Sequence, residues 1–586
     1  MNRYQINILL VGVWLTFLLG THFQVYAQYC VEGICNANAY LNSSDPNTIE
    51  YDNMVSSFHA TLVREYDGKV RVWGQGIGQS GANIAPPIEL NGTNYGTGAN
   101  KLTGAVLRFA IGGAHQFAVL TTEGLYIWGV SGQLVPTNIP NVANNSFRKV
   151  SIGSYNVNGG APKADGLPDG VQPTAVKMMF GTNSGLAIVT CDGQAWVLAS
   201  NGDAYGDGAI QTLQNNSLWH RVSTEPGVPL EDVVAVRGAF NSFMALTSQG
   251  KIYTWGLVTR LGNNTAAVDR KFATLMSLPV GVTPKMIGMT SSNIGRTYYL
   301  LATDGRLFSL GDNAMQQLGD GGTVARNGWY QVITSKVVGG VTYSIRDNIA
   351  WISPQEHFAS SASINVLTNE GKLWAWGNNS GGMLGSTLAI MPPTFMPGSS
   401  TGAYNPKQLN VSDHLMAVES GGHTSLVIKQ CAARFGYVGH QTAGSMSDNI
   451  TANGSFSQYT FGNTSEVHIC GAISLPVLSD GKMCPGATFD LANAEPSAGV
   501  FGIDWWMDAN ATIPVEEPGS VPAGTYYGTY QGLSVKCPTP MKVSYYTAKD
   551  PEFALCESNF ISNPLVRQLM QNAADATEKR DQFISR

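Results

Sequence analysis

Apolar and polar residues alternate through most of the chain in a pattern that occurs seven times. Each copy has a short apolar run, such as FAVL, FMAL or INVL, then a polar turn centred on glycine, then a second apolar strand, such as LYIWG or KLWAWG. Two such strands joined by an Asp-Gly or Glu-Gly turn are typical of a β-hairpin. The turn glycines of the first six copies are Gly68, Gly124, Gly193, Gly250, Gly305 and Gly371, and a degenerate seventh copy lies near Cys431.

The distance between copies leaves room for two more short strands in each, which predicts four-stranded units of a β-propeller. A single unit cannot bury its apolar face alone, so neighbouring units must pack together. We expect the tryptophan that ends the second strand to wedge between units. The glycine after it permits a sharp departure from the strand. These pairs are Trp73 with Gly74, Trp128 with Gly129, Trp255 with Gly256, and Trp376 with Gly377.

Three segments carry a resemblance to a known repeat family. GRLFSLGDNAMQQLG (305–319), GKLWAWGNNSGGMLG (371–385) and GGHTSLVIKQ (421–430) are similar to the regulator-of-chromosome-condensation repeat. The resemblance covers roughly residues 51–465 and implies a seven-bladed β-propeller. Copies three and seven lack the Trp-Gly pair, and Trp196 is shifted, so blade boundaries stay open. Secreted members of this family look like binding proteins, including enzyme inhibitors.

The pattern changes near Cys470. CPGATFDL, IDWWMD, PAGTYYGTY and KVSYY resemble immunoglobulin-like modules of surface and secreted proteins of gliding bacteria. The resemblance implies a β-sandwich over residues 470–547, with a disulfide between Cys484 and Cys537 and with Trp505 or Trp506 packed on it. A tail over 548–586 follows, with a short helix opened by Pro564. The sequence is compatible with a complete chain or with a fragment of a longer product.

The first 27 residues predict a secretory signal peptide. Arg3 precedes an apolar segment, and Val25 and Ala27 occupy the small-residue positions before a cleavage site. A retained membrane anchor is the alternative. An N-terminal segment, 28–50, leads into the propeller. The eight cysteines suit an oxidising compartment. Cys30 and Cys35 flank a tight loop and could pair, whereas the sequence leaves the pairing of Cys191, Cys431, Cys470 and Cys556 open.

Charge and motif content narrow the function. Only 13% of residues are charged, the net charge is -6, and no basic run occurs, so a nucleic-acid partner is not expected. No Cys-x-x-Cys pair or His cluster in the sequence predicts a metal, and no cofactor is expected. His59, His115 and His423 occupy equivalent repeat positions and are assigned structural roles where strands begin. NGDAYGDG (201–208) and DGLPDG (165–170) lack full calcium-loop spacing and are interpreted as turns. Asp504 and Asp508 are interpreted as surface acids.

Two insertions interrupt the repeats. The first, 154–174, is polar and contains Asp165 and Asp169, and the second, 386–404, presents Ile390, Met391, Phe395 and Met396 among prolines. Long loops on a rigid scaffold commonly carry binding, and tolerated insertion is the alternative.

The sequence therefore predicts an all-β, secreted or outer-surface, non-enzymatic interaction protein whose partner is an extracellular protein or polysaccharide. One alternative is a secreted hydrolase or lyase with its site in the propeller channel. Another is an inhibitor of a secreted enzyme. The oligomeric state is not indicated.

Overall fold

The computed structural model divides into two compact units, residues 1–472 and 473–586. It describes residues 46, 49–552, 556, 568 and 572, with the exception of 114, 130–145, 213, 294, 359, 398–404, 406, 443, 448–451, 470–474, 496–501, 534–535, 548 and 551. The predicted signal peptide, Cys30, Cys35 and almost all of the predicted terminal helix lie outside the described residues. Within the described part, no helix is long and apolar enough to cross a membrane.

Strands dominate the described residues, which confirms the predicted all-β class. Seven sheets of the first unit share one plan, in which four consecutive strands pair antiparallel in chain order. The first contains β1 (Met54–Ser57), β2 (Ala60–Arg64), β3 (Val70–Gly74) and β4 (Ile84–Glu89). The second contains β5 (Val106–Gly112), β6 (Gln116–Thr121), β7 (Gly124–Gly129) and β8 (Arg148–Lys149).

The third and fourth sheets are joined by a short hairpin. The third contains β9 (Gly153–Ser154), β10 (Val176–Gly181), β11 (Gly185–Thr190), β12 (Ala195–Ala199) and β13 (Leu218–Arg221), with β9 added parallel to β13. The hairpin consists of β14 (Ser223–Glu225) and β15 (Val228–Pro229). The fourth contains β16 (Val233–Ala239), β17 (Ser242–Thr247), β18 (Ile252–Thr259) and β19 (Val268–Leu275).

A second hairpin separates the fifth and sixth sheets. The fifth contains β20 (Pro284–Ser291), β21 (Arg296–Ala302), β22 (Leu307–Gly311) and β23 (Arg326–Gln331). The hairpin consists of β24 (Ser335–Val338) and β25 (Val341–Ser344). The sixth contains β26 (Ile349–Pro354), β27 (Ser363–Thr368), β28 (Leu373–Asn378) and β29 (Ile390–Phe395). The seventh contains β30 (Leu415–Ser420), β31 (Thr424–Lys429), β32 (Arg434–Gln441) and β33 (Gly454–Glu466).

Short 3-10 helices occur between the strands. They span Gly98–Asn100, Asn158–Gly160, Pro173–Ala175, Gly202–Ala204, Asn215–Ser217, Ser380–Gly382 and Leu491–Ala494.

The first strands of the seven sheets pack side by side. Each contacts the first strand of the next sheet, and β1 contacts both β5 and β30, so the last sheet meets the first. Side chains of these strands are almost all buried. The first strands therefore form a ring around a common interior.

The tryptophans of the repeat join neighbouring sheets. Trp128 Nε1 donates to the carbonyl of Ile77 at 2.7 Å, and Trp376 Nε1 donates to that of Gln317 at 3.0 Å. Each acceptor lies in the loop before the last strand of the preceding sheet. Trp73 makes the same contact with Ser445 of the seventh sheet at 3.1 Å, so one of these bonds connects the two ends of the ring.

The glycine after tryptophan is required by a close backbone approach. Gly74 has φ of 105°, and a Cβ there would lie 1.8 Å from the carbonyl oxygen of His59. The same contact recurs at Gly256, where a Cβ would lie 2.1 Å from the oxygen of Asn241. Only glycine fits where the third strand passes the start of the second.

In the second unit, the described residues form one sheet. Its strands are β34 (Gly481–Met483), β35 (Ile503–Trp506), β36 (Gly524–Tyr530) and β37 (Thr539–Tyr545), in the order β34-β37-β36-β35. Strand β34 runs parallel to β37, and the other pairs are antiparallel. Trp505 is buried in the core of this unit with Tyr526 and Met541. The two-sheet immunoglobulin-like sandwich stays a prediction.

The predicted Cys484–Cys537 disulfide is wrong, because Cys484 pairs with Cys556, with a Cα–Cα distance of 5.3 Å. The parallel pairing explains the difference. Met483 lies beside Tyr545, at the end of β37, whereas Cys537 precedes the start of that strand. An extended strand rises about 3.3 Å per residue, so Cys537 is carried to the opposite end of the sheet. Cys191, Cys431 and Cys537 are also disulfide-bonded.

Candidate functional site

Charged side chains converge in the interior of the ring. Arg237 of β16 donates from Nε to Oε2 of Glu356 at 2.8 Å, and its Nη2 contacts the same oxygen. Its Nη1 donates to Oδ1 of Asp52 at 2.7 Å. The guanidinium also lies over the rings of Phe180 and Tyr51, with its centre 4.1 and 5.1 Å from their centroids. Arg237 thus links the segment before β1 to the fourth and sixth sheets.

The carboxylates keep Arg237 charged although it is buried. Burial alone would lower the pKa of the guanidinium, but the nearby Asp52 and Glu356 raise it above its ordinary value. Glu356 Oε1 also accepts from the backbone N–H of Met289 at 3.0 Å. Both oxygens of this carboxylate are therefore bonded, one to Arg237 and one to β20.

A second pair occupies the same interior. His357 Nε2 lies 3.4 Å from Oε1 of Glu419, and its Nδ1 donates to the carbonyl of Gly181 at 2.8 Å. Glu419 also accepts from Ser353 Oγ at 3.1 Å. Burial would lower the pKa of His357, but Glu419 raises it. Glu356 and His357, which follow β26, therefore bond to several other sheets across the interior of the ring. Each of the charged side chains described above has a bonding partner there.

Sequence reasoning missed this network. The sequence carries only a weak sign of this network. Arg237, Glu356 and Glu419 are isolated charged residues within or beside apolar strand segments, namely VVAVRGAF, WISPQEHF and LMAVES. Nothing in the sequence indicates that these residues lie close together. They are far apart along the chain, and they meet only because the sheets pack into a closed ring.

Several histidines lie close together at the turns that connect the first and second strands of neighbouring sheets. His59, at the start of β2, lies beside His423, at the start of β31, with ring centroids 5.7 Å apart. His440 of β32 joins them, and its Nδ1 is 2.8 Å from Nε2 of His59. One ligand atom from each of the three lies within 4.8 Å of the other two. We call His59, His423 and His440 the histidine cluster.

Aromatic rings border the cluster. Phe58 packs edge-on against His423, with centroids 4.4 Å apart, and contacts His115 at 5.9 Å. Phe358 contacts both Phe58 and His423. The three histidines named from equivalent repeat positions are thus brought to one region, and His440 is the member that the sequence analysis missed.

Burial favours the neutral forms of His59 and His423. Burial is the main cause that lowers the pKa of His59 to about 4, and the neighbouring histidines lower it further. Burial also lowers the pKa values of His115 and His423. His59 Nδ1 is 2.8 Å from Oε1 of Gln75, which can only accept, so Nδ1 carries the proton and Nε2 keeps its lone pair.

The apolar residues of the second insertion lie mainly in a strand. Ile390, Met391 and Phe395 belong to β29, where Met391 and Phe395 are buried and Ile390 is exposed. Met396 is half-buried and packs against the same core. Packing accounts for the apolar character of Met391, Phe395 and Met396, whereas Ile390 is left exposed.

The acids of the first insertion lie in turns. Asp165 forms an ion pair with Lys163 at 2.9 Å and accepts from the backbone of Leu167. Asp169 is tied through its backbone N–H to Ser154 Oγ at 2.9 Å. Leu167, between them, is fully buried. The two acids do not share one site with the residues of the second insertion.

A polar groove lies beside the start of the second insertion. It is open to solvent and offers about 500 Å³ between the loop that follows β28 and the strand β33. Its lining consists of Asn379, Ser380, Gly381, Gly382, Ser386, Thr387, Ala389, Ser455 and Ser457. Hydroxyl, amide and backbone groups thus line it, and none of these residues is ionisable.

Asn379 builds this groove. Its Nδ2 donates to the carbonyls of Ser386 and Leu388, at 2.8 and 2.5 Å, and its Oδ1 accepts from the N–H of Leu384. Ser455 Oγ donates across the groove to the carbonyl of Gly381 at 3.0 Å. The loop is therefore fixed in shape by its own hydrogen bonds.

No protein-family model matches the chain, and no curated protein matches it significantly. Among solved structures, human WBSCR16 is 14% identical, with 68% of this chain and 94% of that chain covered and a TM-score of 0.47. Prp20p from Saccharomyces cerevisiae, described with its binding to Gsp1p and histones, is 17% identical, with coverage of 73% and 90% and a TM-score of 0.45. The CRINKLY WD40 ectodomain of the Arabidopsis thaliana receptor kinase ACR4 is 10% identical, with coverage of 66% and 94% and a TM-score of 0.32. At these values the similarities indicate no ligand or activity.

Proposed function

We propose that this chain is a non-enzymatic interaction protein that acts outside the cytoplasm and binds a neutral glycan in the groove beside Thr387. The seven sheets serve as the blades of one propeller, and the second unit serves as an immunoglobulin-like spacer. The disulfide between Cys484 and Cys556 supports an oxidising compartment.

The observation that carries the proposal is the chemistry of the groove. Its lining offers hydroxyl and amide groups with no charge, which suits a ligand that is itself hydroxylated and neutral. The exposed side chain of Leu388, beside the groove, adds an apolar surface against which a sugar ring can pack. The loop is already fixed by Asn379, so binding requires little ordering.

The second candidate function is an enzyme with its site inside the ring. The observation in its favour is the convergence of Arg237, Glu356 and Glu419 in the interior. Arg237 and Glu356 are bonded to each other, Glu419 is bonded to His357 and Ser353, and a substrate would have to displace those bonds. The binding function needs no such rearrangement, and we favour it.

A glycan array tests the proposal. We expect the purified protein to bind neutral oligosaccharides, and Thr387→Arg, which places a long cation in the groove, to weaken binding at least tenfold. Ser335→Arg, on the exposed hairpin β24–β25, is the matched control and should bind as the original chain does. Equal binding by both variants, or no binding to any glycan, would contradict the proposal. Release of reducing ends from a bound glycan would favour the enzyme instead.

A further inference from the structure

The histidine cluster has the composition of a transition-metal site. Three imidazole side chains come from two adjacent sheets, His59 from the first and His423 and His440 from the seventh. One nitrogen from each lies within 4.8 Å of the other two. In a tetrahedral zinc site with metal–nitrogen bonds of 2.0–2.1 Å, ligand nitrogens are about 3.3 Å apart. The nitrogen–nitrogen distances in the cluster, from 2.8 Å up to at most 4.8 Å, therefore span the distance expected around a bound ion.

We propose that His59, His423 and His440 bind a divalent transition metal, of which Zn²⁺ is the expected occupant. Imidazole is a preferred ligand of zinc, and three histidines with an open position form a known type of zinc coordination. The 2.8 Å separation of His59 Nε2 and His440 Nδ1 would increase by about half an ångström on binding. His423 and His440 are half-buried, so the ion can reach them from solvent.

The tautomer of His59 favours this assignment. His59 Nδ1–H donates to Oε1 of Gln75, which leaves the Nε2 lone pair pointing at the cluster. Metal-binding histidines commonly donate their other N–H to such an acceptor, which fixes the ring orientation. His440 Nδ1 donates to His59 Nε2, so metal binding requires its proton to move to Nε2 of the same ring. This is a change of tautomer and needs no added reactant.

The repeat itself marks the site. His440 follows Gly439 as Gln75 follows Gly74, and the N–H groups of Gln75 and His440 donate to the carbonyls of His59 and His423 in the same way. In the first sheet, the residue after the glycine is Gln75, whose side-chain amide supports the ligand His59. In the seventh sheet, the equivalent residue is His440, which is itself a ligand. The two positions therefore have complementary roles across the junction that closes the ring.

A further side chain borders the cluster. His115 lies beside Phe58, and its Nδ1 is buried without a hydrogen-bond partner. His115 is not one of the three proposed ligands, and its unpaired Nδ1 adds a polar group to that side of the cluster.

The test is zinc binding by the full chain, prepared without a polyhistidine tag and stripped of metal with a chelator. Isothermal titration with ZnCl₂ should give one equivalent per chain for the original protein. His440→Asn and His59→Asn should each weaken binding at least tenfold. Gln75→Leu, which removes the acceptor for His59, should weaken it about tenfold. His468→Asn is the matched control, since this exposed histidine pairs with Glu466 away from the cluster.

Circular dichroism of each variant shows whether its fold is retained. Because Gln75→Leu leaves all three ligands in place, it keeps the proposal testable if a histidine variant fails to fold. A Co²⁺ titration followed by visible absorption gives a second reading, with ligand-field bands expected in the original protein and lost in His440→Asn. Absence of stoichiometric zinc binding by the original protein would overturn the proposal. The same affinity in His440→Asn and His468→Asn, or an equal loss in both, would also overturn it.

Discussion

Arg237 and Glu356 come from the fourth and sixth sheets and meet inside the ring, with Arg237 Nε 2.8 Å from Glu356 Oε2. Their side chains are only 7% and 2% exposed. A buried ion pair of this kind contributes less to net stability than its geometry suggests, because both charges have lost their hydration. Removing one partner is costly, since the other charge stays buried.

Glu356→Gln should therefore lower the free energy of unfolding of the first unit by about 3–5 kcal/mol. Arg237 would keep only Asp52 as an anionic partner. Urea unfolding followed by tryptophan fluorescence measures the loss. Asp304→Asn is the control, because Asp304 pairs with Arg306 at the surface and is 51% exposed, and should change stability by less than about 1 kcal/mol. A similar small change for both variants would contradict the role assigned to the interior pair.

Trp73 provides a test of ring closure. Its Nε1 donates to Ser445 of the seventh sheet, and its ring packs edge-on against Phe435 with centroids 5.2 Å apart. Trp73→Phe should cost about 1–3 kcal/mol, because the carbonyl of Ser445 loses its partner in a buried site. Limited proteolysis should then cut the first unit faster than in the original protein.

The matched control for Trp73 is Trp506→Phe, in the second unit, where the indole donates to Thr529 Oγ1. It should leave proteolysis of the first unit unchanged. If Trp73→Phe were as resistant to proteolysis as the control, the contact between the seventh and first sheets would not be needed to hold the ring together.

Local patterns predict the strands well, and long-range partners poorly. Five of the six predicted turn glycines, at 68, 193, 250, 305 and 371, lie between second and third strands with φ from 65° to 83°. These glycines could be predicted because a turn with positive φ depends on the stereochemistry of only a few consecutive residues. The pairing of Arg237 with Glu356, or of Cys484 with Cys556, depends on strand neighbours that no local pattern encodes.

Two features of the site were within reach of the sequence. In β29, exposed and buried residues alternate at Ile390, Met391 and Pro392, which is the two-residue period of a strand. Aligning Gly439 with Gly74 would have placed His440 opposite His423, as Gln75 is placed opposite His59. The contact between His440 and His59 could not be predicted, because it exists only where the seventh sheet meets the first.

The disulfide assignment predicts a specific peptide map. Proteolysis without reduction should release a linked pair that contains Cys484 and Cys556. Cys556→Ser opens a loop with a sequence separation of 72 and should destabilise the second unit by about 4 kcal/mol in the chain-entropy model, with no effect on the first. A peptide that links Cys484 to Cys537 would contradict this connectivity.

Lys372 should make stability depend on pH in the alkaline range. Its Nζ donates to the carbonyls of Val411 and Asp413, at 2.8 and 2.7 Å. Burial lowers the pKa of this amine to about 8, against the opposing effect of the Asp413 and Glu370 carboxylates. An unfolded lysine titrates near 10.4, so between these values the unfolded chain binds more protons than the native one. The contribution of Lys372 to the free energy of unfolding therefore rises as the pH rises through this window.

Lys372→Met should remove that contribution. Urea unfolding at pH 7.5, 8.5 and 9.5 should show the original protein gaining about 2 kcal/mol relative to this variant across the range. Lys251→Met, at an exposed position on the turn before β18, is the control and should follow the original protein. His414, which follows Asp413 in the chain and lies near Lys372, has its pKa lowered by burial and so titrates below this window. Parallel stability curves for the original protein and Lys372→Met would show that Lys372 does not lose its proton in the native state below pH 9.5.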